Sequence, residues 1–304
     1  MENNKNIYFS EYEFYPNICA AELTTEIVKF LQKNNFNLHV ICSSCNPKLI
    51  KTLDKNIDPS LIGVKIKRVK PIYEKEKSFI QRLINYIWFS INTFIFFYFA
   101  KKPLFFLIQT NPPINILSVS LVSLLRNIPF IVIAMDIYPE VFNIYYKKNI
   151  HPFVLKIVNF IFNKAFQKAD KVISLGPYMT KRLVKKRIKY SKIFEISNWA
   201  TGLEDNEERE LKNKEIIRNI DNYFTILYTG NLGLVHDWET IIKCFQNYRF
   251  LSNNCRLIFV GKGSGFKNAK KYVEKNNLSK YIIFENLLPI SEFNKIINSC
   301  SISL

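Results

Sequence analysis

The sequence predicts an α/β protein of two units, each a mainly parallel sheet with helices on its faces. Two observations predict it. Apolar runs of strand length alternate with amphipathic runs of helix length, the pattern of parallel sheets that helices cover. Glycine is scarce, eight residues in 304, yet Gly230, Gly233, Gly261, Gly263 and Gly265 fall within 36 residues, in the turns between two strands and the helices that follow. Only glycine allows positive φ and close backbone approach at low cost.

The elements follow in order. Strands are predicted at 6–10, 38–42, 64–69, 104–109, 130–134, 171–175 and 193–197. Helices are predicted between many of them, at 20–33, 79–100, 114–126, 152–168 and 178–186. A polar stretch, "NEERELKNKEIIRNID" (206–221), then brings five acids and reads as a linker or a surface helix. The alternation restarts with strand 224–229, which breaks at Gly230-Asn231-Leu232-Gly233. Asp237 opens the next helix, 238–248, as its N-cap, with Trp238, Ile241, Ile242 and Phe245 on one face. Strand 256–260, helix 267–276, strand 282–285 and helix 292–298 follow, and the chain ends in an apolar strand. The expected domains are 1–200 and 223–304, joined by a linker at 201–222.

Composition narrows the function. The chain is 48% hydrophobic and 22% charged, a globular balance with room for two domains. Its net charge is +18, and between Lys147 and Lys192 thirteen Lys or Arg accompany one acid, Asp170. Such a face suits phosphates or anionic lipid, or is a solvated surface. No nucleic-acid-binding module accompanies it, so no nucleic-acid partner is expected. Residues 83–100, "LINYIWFSINTFIFFYFA", carry no charge. Asn85, Ser90, Asn92 and Thr93 would need partners in lipid, so this run reads as a buried or membrane-touching helix rather than a span. Membrane attachment is then expected to rest on charge and to yield to salt.

Cys42 and Cys45 have redox spacing but lack a clear following helix, and the polar start of the chain suggests no secretory signal. Histidines number three, His39, His151 and His236. That scarcity disfavours a Ser-His-Asp hydrolase and a histidine metal site.

Three turns could carry chemistry. "YTGNLG" and "FVGKGSGF" each place glycines between strand and helix, where backbone N–H groups can cradle an anion. Turns of this kind also occur without a ligand, and neither matches a Walker loop or a full dinucleotide fingerprint. Asp237 would repel a phosphate, leaving the preceding turn or His236 as the contact. Asp136 and Glu140 follow strand 130–134, at the end of a strand where open α/β sheets bind ligands. The alternative is a capping Asp136 and a surface Glu140.

In order along the chain come "EYEFYPNICAAELTTEIVKFLQKNNFNLHVIC", "RLINYIWFSINTFIFF", "QTNPPINIL", "MDIYPE", "KADKVISLGPYMTKRL", "ISNWAT", "LYTGNLG" and "FVGKGSG". Together they resemble the family 4 glycosyltransferases, in particular the bacterial subgroup that builds O-antigen, capsule and colanic acid. The likeness covers nearly the whole chain.

The resemblance implies a GT-B fold: two Rossmann-like domains, the first binding the acceptor and the second a nucleotide-sugar, with a retaining transfer between them. Gly230, Asn231 and Gly233 match the turn near the donor diphosphate, with His236 beside it. Gly261, Lys262 and Gly263 match the loop near base and ribose. Asp136 and Glu140 match the acidic segment of the catalytic cleft. Pro16, Asn17 and Ala20 match the loop below the donor phosphates, and Asn198 the asparagine before the linker. No cofactor and no metal are expected; positive side chains would stabilise the leaving diphosphate instead. The partners implied are a nucleotide-sugar, a polyprenyl-diphosphate-linked saccharide acceptor and an anionic membrane surface, at the cytoplasmic, inner face of the plasma membrane. Ala20-Ala21 stand where relatives often have glycines. The chain stops before the family's acidic pair spaced eight residues apart, so the second domain is expected to be incomplete. The alternatives are an inactive remnant, half of a split enzyme, or a membrane-bound scaffold.

Overall fold

The computed structural model describes residues 5–15, 20–43, 61–76, 78–140, 151–199, 220, 222–233, 236–248, 254–286, 288 and 296–304. The chain divides into two compact units, 1–201 and 202–304.

Unit 1 is built on seven parallel strands in the order β3-β2-β1-β4-β5-β6-β7. These are β1 (Asn6–Ser10), β2 (Asn37–Ser43), β3 (Lys65–Val69), β4 (Pro103–Gln109), β5 (Phe130–Ala134), β6 (Lys171–Ser174) and β7 (Ile193–Glu195). Among the described residues five helices connect them: α1 (Ala20–Lys33), α2 (Phe79–Tyr98), α3 (Asn115–Arg126), α4 (Pro152–Lys168) and α5 (Pro177–Lys185). Local chemistry sets several helix ends. The Ser78 hydroxyl accepts the Gln81 N–H at the start of α2. Asn127 ends α3 in the left-handed conformation (φ 52°) that asparagine tolerates. His151 caps α4, where Pro152 occupies the first turn.

Parallel strands bury both faces, and the core of unit 1 is accordingly split in two. On one face Phe106, Ile108, Phe130 and Val132 pack with Phe89 and Phe97 of α2, Val119 of α3 and Phe166 of α4. On the other, Ile7, Phe9, Leu38 and Val40 pack with Val28 of α1. His39 lies in β2, stacked on Tyr8 at 4.3 Å. Half-burial, then Lys65, lowers its pKa, so it is a structural ring.

The uncharged run 83–100 forms most of α2. It buries Asn85, Phe89, Ser90, Thr93 and Phe97 on one side. Two of its buried polar members find protein partners: Asn85 Nδ2 donates to the Tyr73 carbonyl and to Glu76, and Thr93 Oγ1 lies 3.2 Å from Ser10 Oγ, while the Ser90 hydroxyl is buried without one. Among the described residues no helix is long and apolar enough to cross a membrane.

Unit 2 holds a parallel sheet ordered β10-β9-β8-β11, comprising β8 (Phe224–Asn231), β9 (Cys255–Lys262), β10 (Ile282–Glu285) and β11 (Ile302–Ser303). Helices α6 (Trp238–Tyr248) and α7 (Ser264–Lys275) connect them. Residues 296–299 are helical; the rest of the helix expected at 292–298 lies outside the described residues. The terminal strand β11 pairs with β8. Both β8 and β9 run further than expected, into their glycine turns, and α7 starts three residues early, at Ser264.

Phe97 is fully buried and stacks on Phe106 with ring centroids 4.5 Å apart. Phe97→Ala should destabilise unit 1 by roughly 3–5 kcal/mol, measured as a lower urea midpoint with an unchanged slope.

Candidate functional site

The strand order of unit 1 reverses between β1 and β4, and open α/β sheets bind ligands beyond the strand ends at such a point. Glu11 follows β1 there. It is 1% exposed. Its Oε1 accepts the Glu13 N–H at 3.4 Å, and its Oε2 has no hydrogen-bond partner. Burial raises its carboxyl well above the ordinary range, outweighing two backbone hydrogen bonds that pull it down. Burial, then the charge of Glu76, raises Glu13 as well. Glu76 accepts from Tyr12 Oη (3.3 Å), Asn85 Nδ2 (2.9 Å) and Arg82 Nε (3.0 Å).

The next strand end is tied down by polar groups. Gln109 Nε2 donates to Thr24 Oγ1 of α1 at 2.8 Å, and Asn115 Nδ2 donates to Ser10 Oγ at 2.9 Å. Asn115 Oδ1 is buried without a partner. The Thr110 hydroxyl accepts the N–H groups of Met135 (3.1 Å) and Asp136 (3.0 Å), binding the loop after β5 to the end of β4.

Asp136 therefore stands at the carboxyl edge of the sheet, as the sequence places it. Its side chain is exposed, yet the protein around it displaces enough water to raise its carboxyl above the usual value. Glu140 has a different setting. Its Oε1 lies 2.8 Å from Nζ of Lys186, a side chain only 5% exposed. The same ammonium donates to the Tyr138 carbonyl (3.2 Å) and to Asn163 Oδ1 (3.0 Å). Three acceptors satisfy the three donors of a buried lysine, so Lys186 fastens the segment that carries Asp136 and Glu140. Ala20 begins α1. Pro16 and Asn17 lie outside the described residues. Asn198 is exposed and lines a groove of about 340 Å³ with Leu23, Ile27, Ile133 and Trp199.

In unit 2 the two glycine turns pack on each other. Gly230 and Gly261 face one another across β8 and β9. A Cβ on Gly261 would lie 1.9 Å from the Gly230 oxygen, and one on Gly263 would lie 2.4 Å from the Leu232 oxygen. Gly230, Gly261 and Gly263 have φ of +131°, +158° and +127°. The Leu232 carbonyl accepts the Gly265 N–H at 2.8 Å, and Asn231 Oδ1 lies 2.7 Å from where a Gly263 Cβ would stand. Much of the glycine is thus needed for backbone-to-backbone packing. Gly233 differs: it needs no positive φ, and a Cβ there would meet only His236 Nδ1, at 4.0 Å. Its N–H donates to the Asn231 carbonyl (2.9 Å) and to His236 Nδ1 (3.0 Å), so His236 is part of the turn.

The helix after each turn is treated differently. Asp237 caps α6, accepting the N–H and the hydroxyl of Thr240 at 3.1 and 2.7 Å. No side chain caps α7, which starts directly behind Lys262 and Gly263. Its amino end, with the helix dipole behind it, can face an anion. A cavity of about 640 Å³ lies elsewhere in unit 2, at the start of the strands, among apolar side chains such as Phe224, Ile226 and Leu257. It offers little to a charged ligand.

Sequence reasoning missed Glu11, Thr110 and Lys186. Glu11 left a signal, an acid directly after an apolar strand. Lys186 left none inside a block of basic residues. Cys42 is buried, and Cys45 lies outside the described residues. Among the described residues no group of three or more His, Cys, Asp or Glu could hold a metal ion.

By sequence alone the chain matches no family model and no curated protein. Solved structures do match. HepE from Anabaena, in complex with UDP and glucose, aligns over 98% of this chain and 73% of its own, with a TM-score of 0.61 and 12% identity. The lipopolysaccharide outer core galactosyltransferase WaaB aligns over 96% and 70%, at 0.54 and 15%. The N-terminal domain of the trehalose-6-phosphate phosphatase of Candida albicans aligns over 98% and 76%, at 0.70 and 10%. The chain has the GT-B fold. In GT-B terms units 1 and 2 are its two Rossmann-like domains, and the edges described above are the carboxyl edges of their sheets.

Two outcomes check this geometry. Gly261→Ala and Gly263→Ala should each cost unit 2 more than about 1–3 kcal/mol of backbone strain, because the clash adds to it; Gly233→Ala should leave its melting unchanged. Glu11 binds its proton more tightly folded than unfolded. Its contribution to stability is therefore present at low pH and falls as pH rises past the ordinary carboxylate range. Glu11→Gln should flatten that fall, so its stability relative to wild type should rise as pH climbs above the ordinary carboxylate range, seen in thermal melts over a pH series.

Proposed function

We propose that this chain is a glycosyltransferase that moves a sugar from a nucleotide-sugar to a lipid-linked saccharide acceptor in bacterial surface polysaccharide synthesis. The observation that carries the reading is the pair of interlocked glycine turns in unit 2, backed by the uncapped amino end of α7. The likeness to HepE bound to UDP and to WaaB supports it, and the eight ordered motifs, which resemble family 4 glycosyltransferases, support the choice of family.

The donor diphosphate would lie against Gly230, Asn231, Gly233 and the start of α7, with His236 and Lys262 beside it. Gly261 and Gly263 would shape the loop toward base and ribose. The C1–O bond to the diphosphate breaks and leaves its electron pair on the diphosphate. Helix dipole and cationic side chains stabilise that charge without a metal. The acceptor oxygen then bonds to C1 from the face the diphosphate leaves, which retains the configuration. Asp136, at the edge of unit 1, would receive or relay the acceptor's proton; desolvation raises its carboxyl above the usual value, which favours its taking up a proton. Glu140, held by Lys186, would position the loop. A polyprenyl-diphosphate acceptor would place the protein at the inner face of the plasma membrane.

Calorimetry against UDP-, GDP- and ADP-sugars tests the donor half. One nucleotide class should bind, and Gly233→Val should weaken it at least about tenfold, or about 1.4 kcal/mol, while the melting temperature holds. No binding by any nucleotide-sugar sinks the reading. Undiminished binding by Gly233→Val restricts that turn to a structural role.

A further inference from the structure

We propose that the outer face of the layer formed by α2, α3 and α4 sinks into one leaflet of an anionic bilayer, so that the protein is monotopic. A helix that covers a sheet normally turns a polar face to water. These three do not. On α2 the side opposite the buried one presents Ile80, Ile87, Ile91, Ile95 and Tyr98, all exposed. On α3 the exposed side chains include Leu121, Leu124 (61%) and Leu125. On α4 they include Phe153, Ile157 and Phe160 (62%). Because α3 packs against both α2 and α4, the three apolar stripes lie side by side on one face of unit 1. A continuous apolar face of this extent marks an interaction surface.

The charge pattern selects the partner. No acid occurs in α2, α3 or α4. The charges at the border are mostly positive: Lys101 and Lys102 just past α2, and Lys156, Lys164 and Lys168 on α4, all exposed; of the nearby acids, Glu74 and Glu76 pair with Lys70 and Arg82, and Asp170 accepts the Phe130 N–H. Trp88 and Tyr98 add amphipathic rings of the kind that settle at the membrane–water boundary. An apolar slab with no acid on its helices, edged mainly by cations and aromatic rings, complements anionic headgroups over hydrocarbon. None of the described helices can span, so insertion stops within one leaflet.

This changes the expectation that attachment rests on charge. Salt screens the lysines but not the buried leucines and isoleucines. The inference stands on the helix face and not on sugar transfer; vesicle binding and nucleotide binding are read separately, so either can fail alone.

The test uses the full chain and protein-free vesicles of phosphatidylcholine and phosphatidylglycerol, about 7:3, with brominated acyl chains in a parallel set. Vesicles should capture the protein and keep most of it at about 1 M salt. Bromolipid should quench tryptophan emission, and Trp88→Phe should remove most of that quenching. Ile91→Glu with Leu125→Glu and Phe160→Glu, all at exposed positions, should lower partitioning at least about tenfold with an unchanged melting temperature. Lys156→Gln with Lys164→Gln and Lys168→Gln should slow capture by anionic vesicles, yet leave quenching of the bound protein intact. Complete release by salt, no quenching at Trp88, or full binding by the triple glutamate variant overturns the proposal. So does a failure to bind vesicles, with self-association that the glutamates abolish, since the face would then cover a second copy.

Discussion

A parallel sheet is apolar on both faces, and neither face can be left to water. Much of this molecule follows from that constraint. In unit 1 it demands two cores, one under α2, α3 and α4 and one under α1. It also fixes where polar chemistry can stand. With both faces covered, the accessible backbone and side-chain groups collect at the strand ends, and the carboxyl edge is where β1, β4 and β5 present Glu11, Thr110 and Asp136.

The same constraint makes that edge costly. Ser10, Thr24, Gln109 and Asn115 are all buried. Each takes part in a hydrogen bond between strand and helix. Pairs of this kind lock α1, α2 and α3 to the sheet, because a buried polar group without a partner costs about 1–3 kcal/mol. Glu11 keeps one oxygen unpartnered and answers by holding its proton. Lys186 resolves the same problem by finding three acceptors, and so fastens a loop some 46–48 residues earlier in sequence.

Unit 2 meets a tighter limit. Its two turns approach until backbone lies on backbone, with the Leu232 carbonyl seated over the start of α7. Gly261 and Gly263 are required by that contact before any ligand is considered. Gly233 is not, and its conformation would accept a side chain. The glycine cluster seen in sequence is therefore two populations with different reasons for being there.

The alternation of the chain determined the α/β class, the parallel sheets and most of the element bounds to within a residue or two, because strand and helix periodicities are local properties of a sequence. It also marked Asp136, and the cap at Asp237, since strand ends and caps are local too. Strand order, the reversal at β1 and β4, and the partners of Glu11 and Lys186 were not legible. They depend on residues tens of positions apart meeting in space. The run 83–100 shows the division. Its sequence says it is apolar throughout. Only the tertiary structure decides that Phe89 and Phe97 face the sheet while Ile87 and Ile91 face outward beside the leucines of α3. Sequence fixes hydrophobicity residue by residue; packing decides which side of a helix is satisfied and which still lacks a partner.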